Sequence, residues 1–462
     1  MGKLDNIYTK LPVIAQHAAI TTYGLYWRYL RFGPGFSGFV QQYQERERFT
    51  KDQWQVWQAE RLKDLLPACA NHVPYYRNQW TEVQKRDALS GNLNAVPLLE
   101  KDPIRADPKA FLREDMHPSR PQISLTSGST GTPISSYFTI AEVRQSLALR
   151  EVRSACWAGV SFSMPRATFS GRMVEPNPDS TGPFYRFNAV EQQAYLSAFH
   201  LRSDTAFQYV EALKRHKIQW ATGYAVSYYL LARFMLEKNI PALNLRAVIT
   251  TSEKLTPEMR AVMERAYGCR IYEEYSTVEN AIFASECEHG CLHVSPDVAI
   301  VEILRPDNSP CGIEEPGEVV VTALSHVYQP LIRFRLGDVA MWASGSCSCG
   351  RQMPVIKEVL GRIEDVVVGP DGRQMVRFHG IFVNQPHVRE GQIIQEALDH
   401  IRVKVVPTDG FNESDIKDMT HRIQQRLGPA VSVIVETVVD IPRTKAGKFR
   451  AVISNIKPRS VG

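Results

Sequence analysis

This 462-residue chain has no long run of lysine or arginine, no uninterrupted apolar stretch of membrane-spanning length, and no internal repeat or low-complexity tract. Each absence excludes something. Nucleic-acid partners usually leave a basic stripe or arm, and 54 Lys and Arg against 49 Asp and Glu, a net charge of +5, supply neither. The most apolar early segment, Leu11 to Gly33, is interrupted by Gln16, His17, Thr21, Thr22 and Arg28. It predicts neither a spanning helix nor a secretion signal, but a helix packed on the body, with peripheral membrane contact as the weaker alternative. Eight cysteines without a secretion signal fit free thiols or metal ligands better than disulfides, so the expected location is cytoplasmic.

What is present describes an ordinary globular protein, 44% hydrophobic and 22% charged. The length exceeds one comfortable core, which predicts two domains, residues 1–361 and 362–462. Apolar spacing behind Thr50 predicts a helix ending near Pro74; two more flank "IQWATGYAV", and a further one runs from Thr256 to Gly268. Short branched runs such as "LRAVITT", "CRIYEEY", "VAIVEIL" and "GEVVVTAL" predict strands. The expected fold is a large α/β body with mixed sheets and a β-rich part, followed by a small mobile α+β domain. In that domain "GPDG" predicts a hairpin turn, and Ile416, Met419, Ile423 and Leu427 share one face of a helix stopped by Gly428.

The stretch "SLTSGSTGTP", Ser124 to Pro133, concentrates hydroxyls and glycines. It suits a loop around a phosphate, yet it lacks the lysine a Walker loop needs, which excludes an ordinary P-loop NTPase. Taken alone it equally suits a solvated turn. Asp338, in a strand-then-glycine turn, could accept from vicinal hydroxyls, and Lys445 and Lys448 sit on a Pro- and Gly-containing loop. Each signal is weak alone.

In order along the chain, "LTSGSTGTP", "YSTVE", "IRFRLGD", "GRIED" and "PRTKAGKFR" resemble the core motifs of the adenylate-forming ligase superfamily. "GYAVSYYLLA", "PLIRFRLGD", "CSCGRQMP" and "GKFRAVIS" are most similar to its phenylacetate-CoA ligase-like branch, which includes homologues found beside capsular polysaccharide genes. The resemblance runs from about residue 50 to the C-terminus. It implies that Thr126, Ser127, Gly128, Ser129, Thr130 and Gly131 hold the ATP phosphates, and that Lys448 bridges carboxylate and α-phosphate in place of the missing Walker lysine. It further implies Glu279 on Mg²⁺, Tyr275, Ser252 and Glu253 by the adenine, Asp338 on the ribose with Arg362 nearby, and an interdomain pivot at 363–366. Three positions depart from the pattern: Ser276 stands where the family has glycine, Val278 where it has threonine, and Glu364 where the hinge has Asp or Lys.

Cys287, His289, Cys291 and His293, with Cys347 and Cys349, have the residue types and spacing of a tetrahedral zinc site. The resemblance favours Cys287, His293, Cys347 and Cys349 as a structural set, with Cys291 and His289 as rivals. Tyr224 and Ala225, with Ala221, Tyr228 and Tyr229 around them, are candidates for the acyl pocket and hint at a flat aromatic or short apolar acid. No Lys or Arg in that stretch marks a second carboxylate.

The expected activity is ATP-dependent formation of an acyl-AMP followed by transfer, foremost to CoA, with an amine or a carrier protein as other acceptors. The expected partners are therefore a carboxylic acid, ATP, Mg²⁺, CoA or an amine, and a structural Zn²⁺; a homodimer is an allowed assembly. A degenerate nucleotide-binding scaffold is the competing reading, against which Lys448, Asp338 and Glu279 count. A zinc-dependent nucleic-acid binder would need a basic face that the sequence lacks.

Overall fold

The computed structural model describes residues 8, 11–125, 134–171, 174–175, 177, 180–253, 255–360, 367–375, 379–382, 385–439, 441 and 452–456. Its body is one twelve-stranded sheet with two halves of different character. In one half Gln193–Ser197, Arg166–Ser170, Trp220–Tyr224, Ala247–Thr251 and Ile271–Ser276 run parallel. In the other, from Phe283–Glu286 to Ala299–Leu304, every neighbour is antiparallel. Helices Ala206–Arg215, Ala225–Glu237 and Pro257–Tyr267 connect the parallel strands, as the alternation of strand and helix signals requires. The body is the expected α/β architecture finished by antiparallel strands.

Local chemistry sets the helix ends. Thr50 starts Lys51–His72 with a reciprocal capping box: its hydroxyl accepts from the Gln53 N–H at 3.3 Å and its own N–H donates to the Gln53 side chain at 2.8 Å. Pro257–Tyr267 is capped by Thr256 and stopped by Gly268 at φ 64°, a left-handed turn that glycine adopts without a Cβ clash. The N-terminal helix Val13–Phe32 buries Gln16, Gly24 and Leu30, while Ile14, Tyr23, Leu25 and Tyr29 face outward. Two arginines tie it down. Arg186 donates to Gln16 Oε1 at 2.6 Å, and the guanidinium of Arg144 donates to the carbonyls of Tyr29, Leu30 and Pro34 at the helix's negative end. No described helix is long and apolar enough to cross a membrane.

A second, separate core is built by residues from Val367 onward: Val403, Val405, Met419, Ile423 and Leu427 are fully buried in it. A four-stranded sheet, ordered Ser432–Thr437, His400–Pro407, Val388–Ala397, Val452–Ser454, carries the helix Glu413–Leu427. That helix stops at Gly428 as expected, although Ile416 is only half-buried. The turn at "GPDG" joins Val367–Val368 to Gln374–Met375.

Candidate active site

In a parallel sheet the strand carboxyl ends form the natural ligand crevice, because loops there can diverge around a bound molecule. Here a cavity of about 470 Å³ lies at the ends of Ala247–Thr251 and Ile271–Ser276. Thr251, Ser252, Glu274, Ser276, Thr277 and Val278 form one side of it, and the helix Ile140–Arg150 and the N-terminal helix form the other. The antiparallel strands Gln122–Leu125 and Ser135–Phe138 border it through Ile123, Ser124 and Phe138. These strands flank the Ser/Thr/Gly loop; Thr126, Ser127, Gly128, Ser129, Thr130 and Gly131 themselves lie outside the described residues, as do Arg362, Glu364 and Lys448.

Several predicted residues do converge. Tyr275 donates from its hydroxyl to Asp338 Oδ2 at 2.9 Å, joining two motifs 63 residues apart. Gly337 and Asp338 lie inside the strand Phe334–Trp342 rather than in the expected turn; Gly337 has φ 72° where the register against Gly317–Ala323 shifts, a bulge that glycine admits. Ser252 sits exposed at the cavity with φ 74°, and its neighbour Glu253 accepts from the Val226 N–H at 2.9 Å, a carboxylate at the positive end of Ala225–Glu237. Glu279 is buried just beyond the strand end. Ser276, the residue that replaces glycine, belongs to a network: its hydroxyl accepts from Arg150 at 3.2 Å and donates to Glu274 at 3.2 Å, and Arg150 reaches Glu274 directly at 3.2 Å.

Tyr224 and Ala225 are buried and line neither this cavity nor the one beneath it, and Tyr228 is core, its hydroxyl satisfied by the carbonyls of Ala167 and Thr222. Trp220, Thr222 and Tyr224 share strand parity, but Gly223 at φ 132° and the start of the helix Ala225–Glu237 break the alternation, so Trp220 and Thr222 line the second cavity and Tyr224 does not. Below the first cavity lies a second of about 210 Å³, sharing Arg31, Leu147, Arg150, Thr251 and Glu274 with it. Its wall sets Arg166, Thr168, Gln193 and Thr222 among apolar side chains such as Phe162, Trp220 and Ile249. No local signal marks these residues, because they come from separate segments that only the sheet and the helices against it bring together.

Burial pushes Arg166 down to about 10 against the opposing pull of Glu191. The guanidinium is held by the carbonyls of Phe162 and Glu191 at 2.8 and 2.9 Å and by Gln193 at 2.8 Å.

The cysteine motifs also meet. Ligand atoms of Cys287, His293, Cys347 and Cys349 lie within 4.8 Å of one another, with Cys287 Sγ to Cys347 Sγ at 3.6 Å and Cys349 Sγ to His293 Nε2 at 3.3 Å. Zn–S bonds of about 2.3 Å in a tetrahedron place sulfurs about 3.8 Å apart, so the donor set and its spacing fit zinc. The Met353 carbonyl faces His293 Nδ1 at 3.4 Å, which leaves Nε2 for a metal. His289 turns instead to Ser348 at 3.0 Å, and Cys291 is not among the four.

Residues 368–455 match the family model CapK C-terminal domain. Across the whole chain, Protein CapK of Staphylococcus aureus is 25% identical, covering 98% of this chain and all of that protein. The phenylacetate-coenzyme A ligase of Thermus thermophilus is 22% identical, covering 88% and 98% of the two chains. Among solved structures, 2-hydroxyisobutyryl-CoA ligase with 2-HIB-AMP and CoA in the thioesterification state superposes with a TM-score of 0.57 at 20% identity, over 88% of this chain and 91% of that one. Fold, relatives matched over nearly the whole chain and the C-terminal family model agree with the motif order: the chain is similar throughout to Protein CapK and phenylacetate-coenzyme A ligase, and it has the fold of an adenylate-forming ligase.

Proposed function

We propose that this protein is an ATP-dependent carboxylate ligase that makes an acyl-AMP and passes the acyl group to CoA. The observation that carries the reading is the Tyr275–Asp338 hydrogen bond, with Tyr275 set in the chain between Glu274 and Ser276 of the cavity wall, where a nucleotide base and ribose would find a ring and a hydrogen-bond acceptor together. In the first step a carboxylate oxygen attacks the α-phosphorus, the bond to the β-phosphate oxygen breaks, and pyrophosphate leaves. The nucleophile is already ionised at neutral pH, so no general base is required. Two anions must approach, and a cation placed between them lowers the barrier. Lys448 supplies that cation from the C-terminal unit, whose boundary we place at 361/362, and Thr126 to Gly131 cradle the phosphates. Glu279 is the residue that would hold Mg²⁺, which neutralises phosphate charge. In the second step the CoA thiolate attacks the acyl carbon and AMP departs, after a rotation about Glu364.

The Cys287, His293, Cys347, Cys349 set would hold a structural Zn²⁺ with no open position for water, bracing two loops of the sheet. The relatives' names, phenylacetate-coenzyme A ligase and 2-hydroxyisobutyryl-CoA ligase, support CoA over an amine as acceptor. The test is acid-dependent exchange of labelled pyrophosphate into ATP, with Lys448→Ala alongside. Exchange that depends on the acid and falls about 100-fold or more in the variant, with ATP binding kept, establishes adenylation. ATP binding without exchange for any acid would favour the degenerate scaffold.

A further inference from the structure

We infer that the acid this site accepts carries, beyond its reacting carboxylate, a second anionic oxygen group that enters the 210 Å³ cavity; the inference rests on the ligase reading. This cavity is the deep end of the crevice, reached past Thr251 and Glu274, so an acyl chain whose carboxylate sits at the strand ends projects into it. Three guanidiniums, Arg31, Arg150 and Arg166, and one carboxylate, Glu274, stand in its wall. Glu191 lies behind, bonded to Arg31 at 3.0 Å and 3.7 Å from Arg166. Glu151, farther out, is occupied by the Ser161 hydroxyl at 2.6 Å and the Phe162 N–H at 2.8 Å.

Three guanidiniums against the carboxylates of Glu274 and Glu191 leave one net positive charge around the cavity, which an apolar or aryl acyl group would leave unbalanced at low dielectric. Arg166 is itself 2% exposed, and Arg31 and Arg150 retain only about a fifth of their side-chain surface. An anionic oxygen instead gives charge-assisted hydrogen bonds in a site of low dielectric. Thr168, Thr222, Ser154 and Gln193 supply polar contacts for the rest of a short chain. A volume near 210 Å³ suits a small acid, since one water-sized group occupies about 30 Å³.

The experiment is pyrophosphate exchange by the full-length protein with paired acids of equal shape: succinate against succinamate and glutarate against glutaramate, with phenylacetate and isobutyrate as apolar comparators. The expected result is a preference of about 10-fold or more in kcat/KM for each dianion over its amide. Arg31→Gln should collapse that ratio, with Arg31→Lys restoring part of it. Thermal melting of both variants reports folding, and the wild-type ratios decide the matter even if a variant fails to fold. Equal rates within each pair, or a preference for phenylacetate or isobutyrate, overturns the second anion while leaving adenylation standing. Absence of exchange with every acid overturns both.

Discussion

The hydroxyl of Tyr275 donates to the carboxylate of Asp338 at 2.9 Å, across the junction between the parallel and antiparallel halves of the sheet. Tyr275 ends a parallel strand, and Asp338 lies in an antiparallel one, so the pair forms only when the whole sheet is assembled. Removing either partner should therefore affect nucleotide binding before stability. We expect Asp338→Ala to raise the KM for ATP by about 10- to 100-fold and Tyr275→Phe by less, because a hydrogen bond to a charged group is worth about 1.5–3 kcal/mol. Steady-state kinetics with ATP varied at saturating acid checks this; an unchanged KM in Asp338→Ala would remove the nucleotide role.

Asp297 is fully buried between Arg153, at 2.5 Å, and Arg46, at 2.6 Å. Burial alone would raise its pKa, but the two guanidiniums outweigh it and hold the carboxyl below its ordinary 3.8. A depressed folded-state value means the unfolded chain binds the proton more readily. Its stabilisation is therefore complete above about pH 4 and is lost as pH falls through the folded value. Asp297→Asn should destabilise the protein by about 3–5 kcal/mol at neutral pH, since it leaves Arg153 buried and unbalanced, and should flatten the acid limb of stability against pH. Urea unfolding from pH 7 down to 3 tests both parts.

Zinc analysis of the purified protein should give about one ion per chain, bound with tetrahedral sulfur and nitrogen donors. Chelation, or Cys349→Ser, should lower the melting temperature, by about 2–4 °C for each kcal/mol lost in a domain of 150–250 residues and less in a larger one. Metal-free protein whose melting ignores chelators would end the proposal of a zinc clip.

Gly223 has φ 132°, and a Cβ there would lie 1.9 Å from the carbonyl oxygen of Phe169 on the adjacent strand. Gly223→Ala should cost about 2 kcal/mol or more, through both the backbone conformation and the clash. Because Thr168 and Thr222 next to these positions line the deep cavity, the variant should also lose exchange activity at temperatures where it remains folded. Chemical denaturation beside the exchange assay separates the two effects.

Much of this protein is local in origin. The capping box at Thr50, the Thr256 and Gly268 helix ends, and the branched runs that became strands are decided within a few residues by backbone sterics and hydrogen bonding. Ordered motifs likewise carry the superfamily, and the cysteine spacing brings out a donor set that the fold then gathers within 4.8 Å. The 210 Å³ cavity is different in kind. Arg31 comes from the N-terminal helix, Arg150 from a helix end, Arg166 and Gln193 from two strands, and Glu274 from a third, and no period or motif links them. Tyr224 and Tyr228, prominent in the sequence, turn into the core because the chain breaks strand alternation at Gly223 and starts a helix there. Local chemistry determined the elements and the motifs; the three-dimensional stacking of helix on sheet determined which charges face the cavity, because burial and proximity are properties of the assembled layers alone.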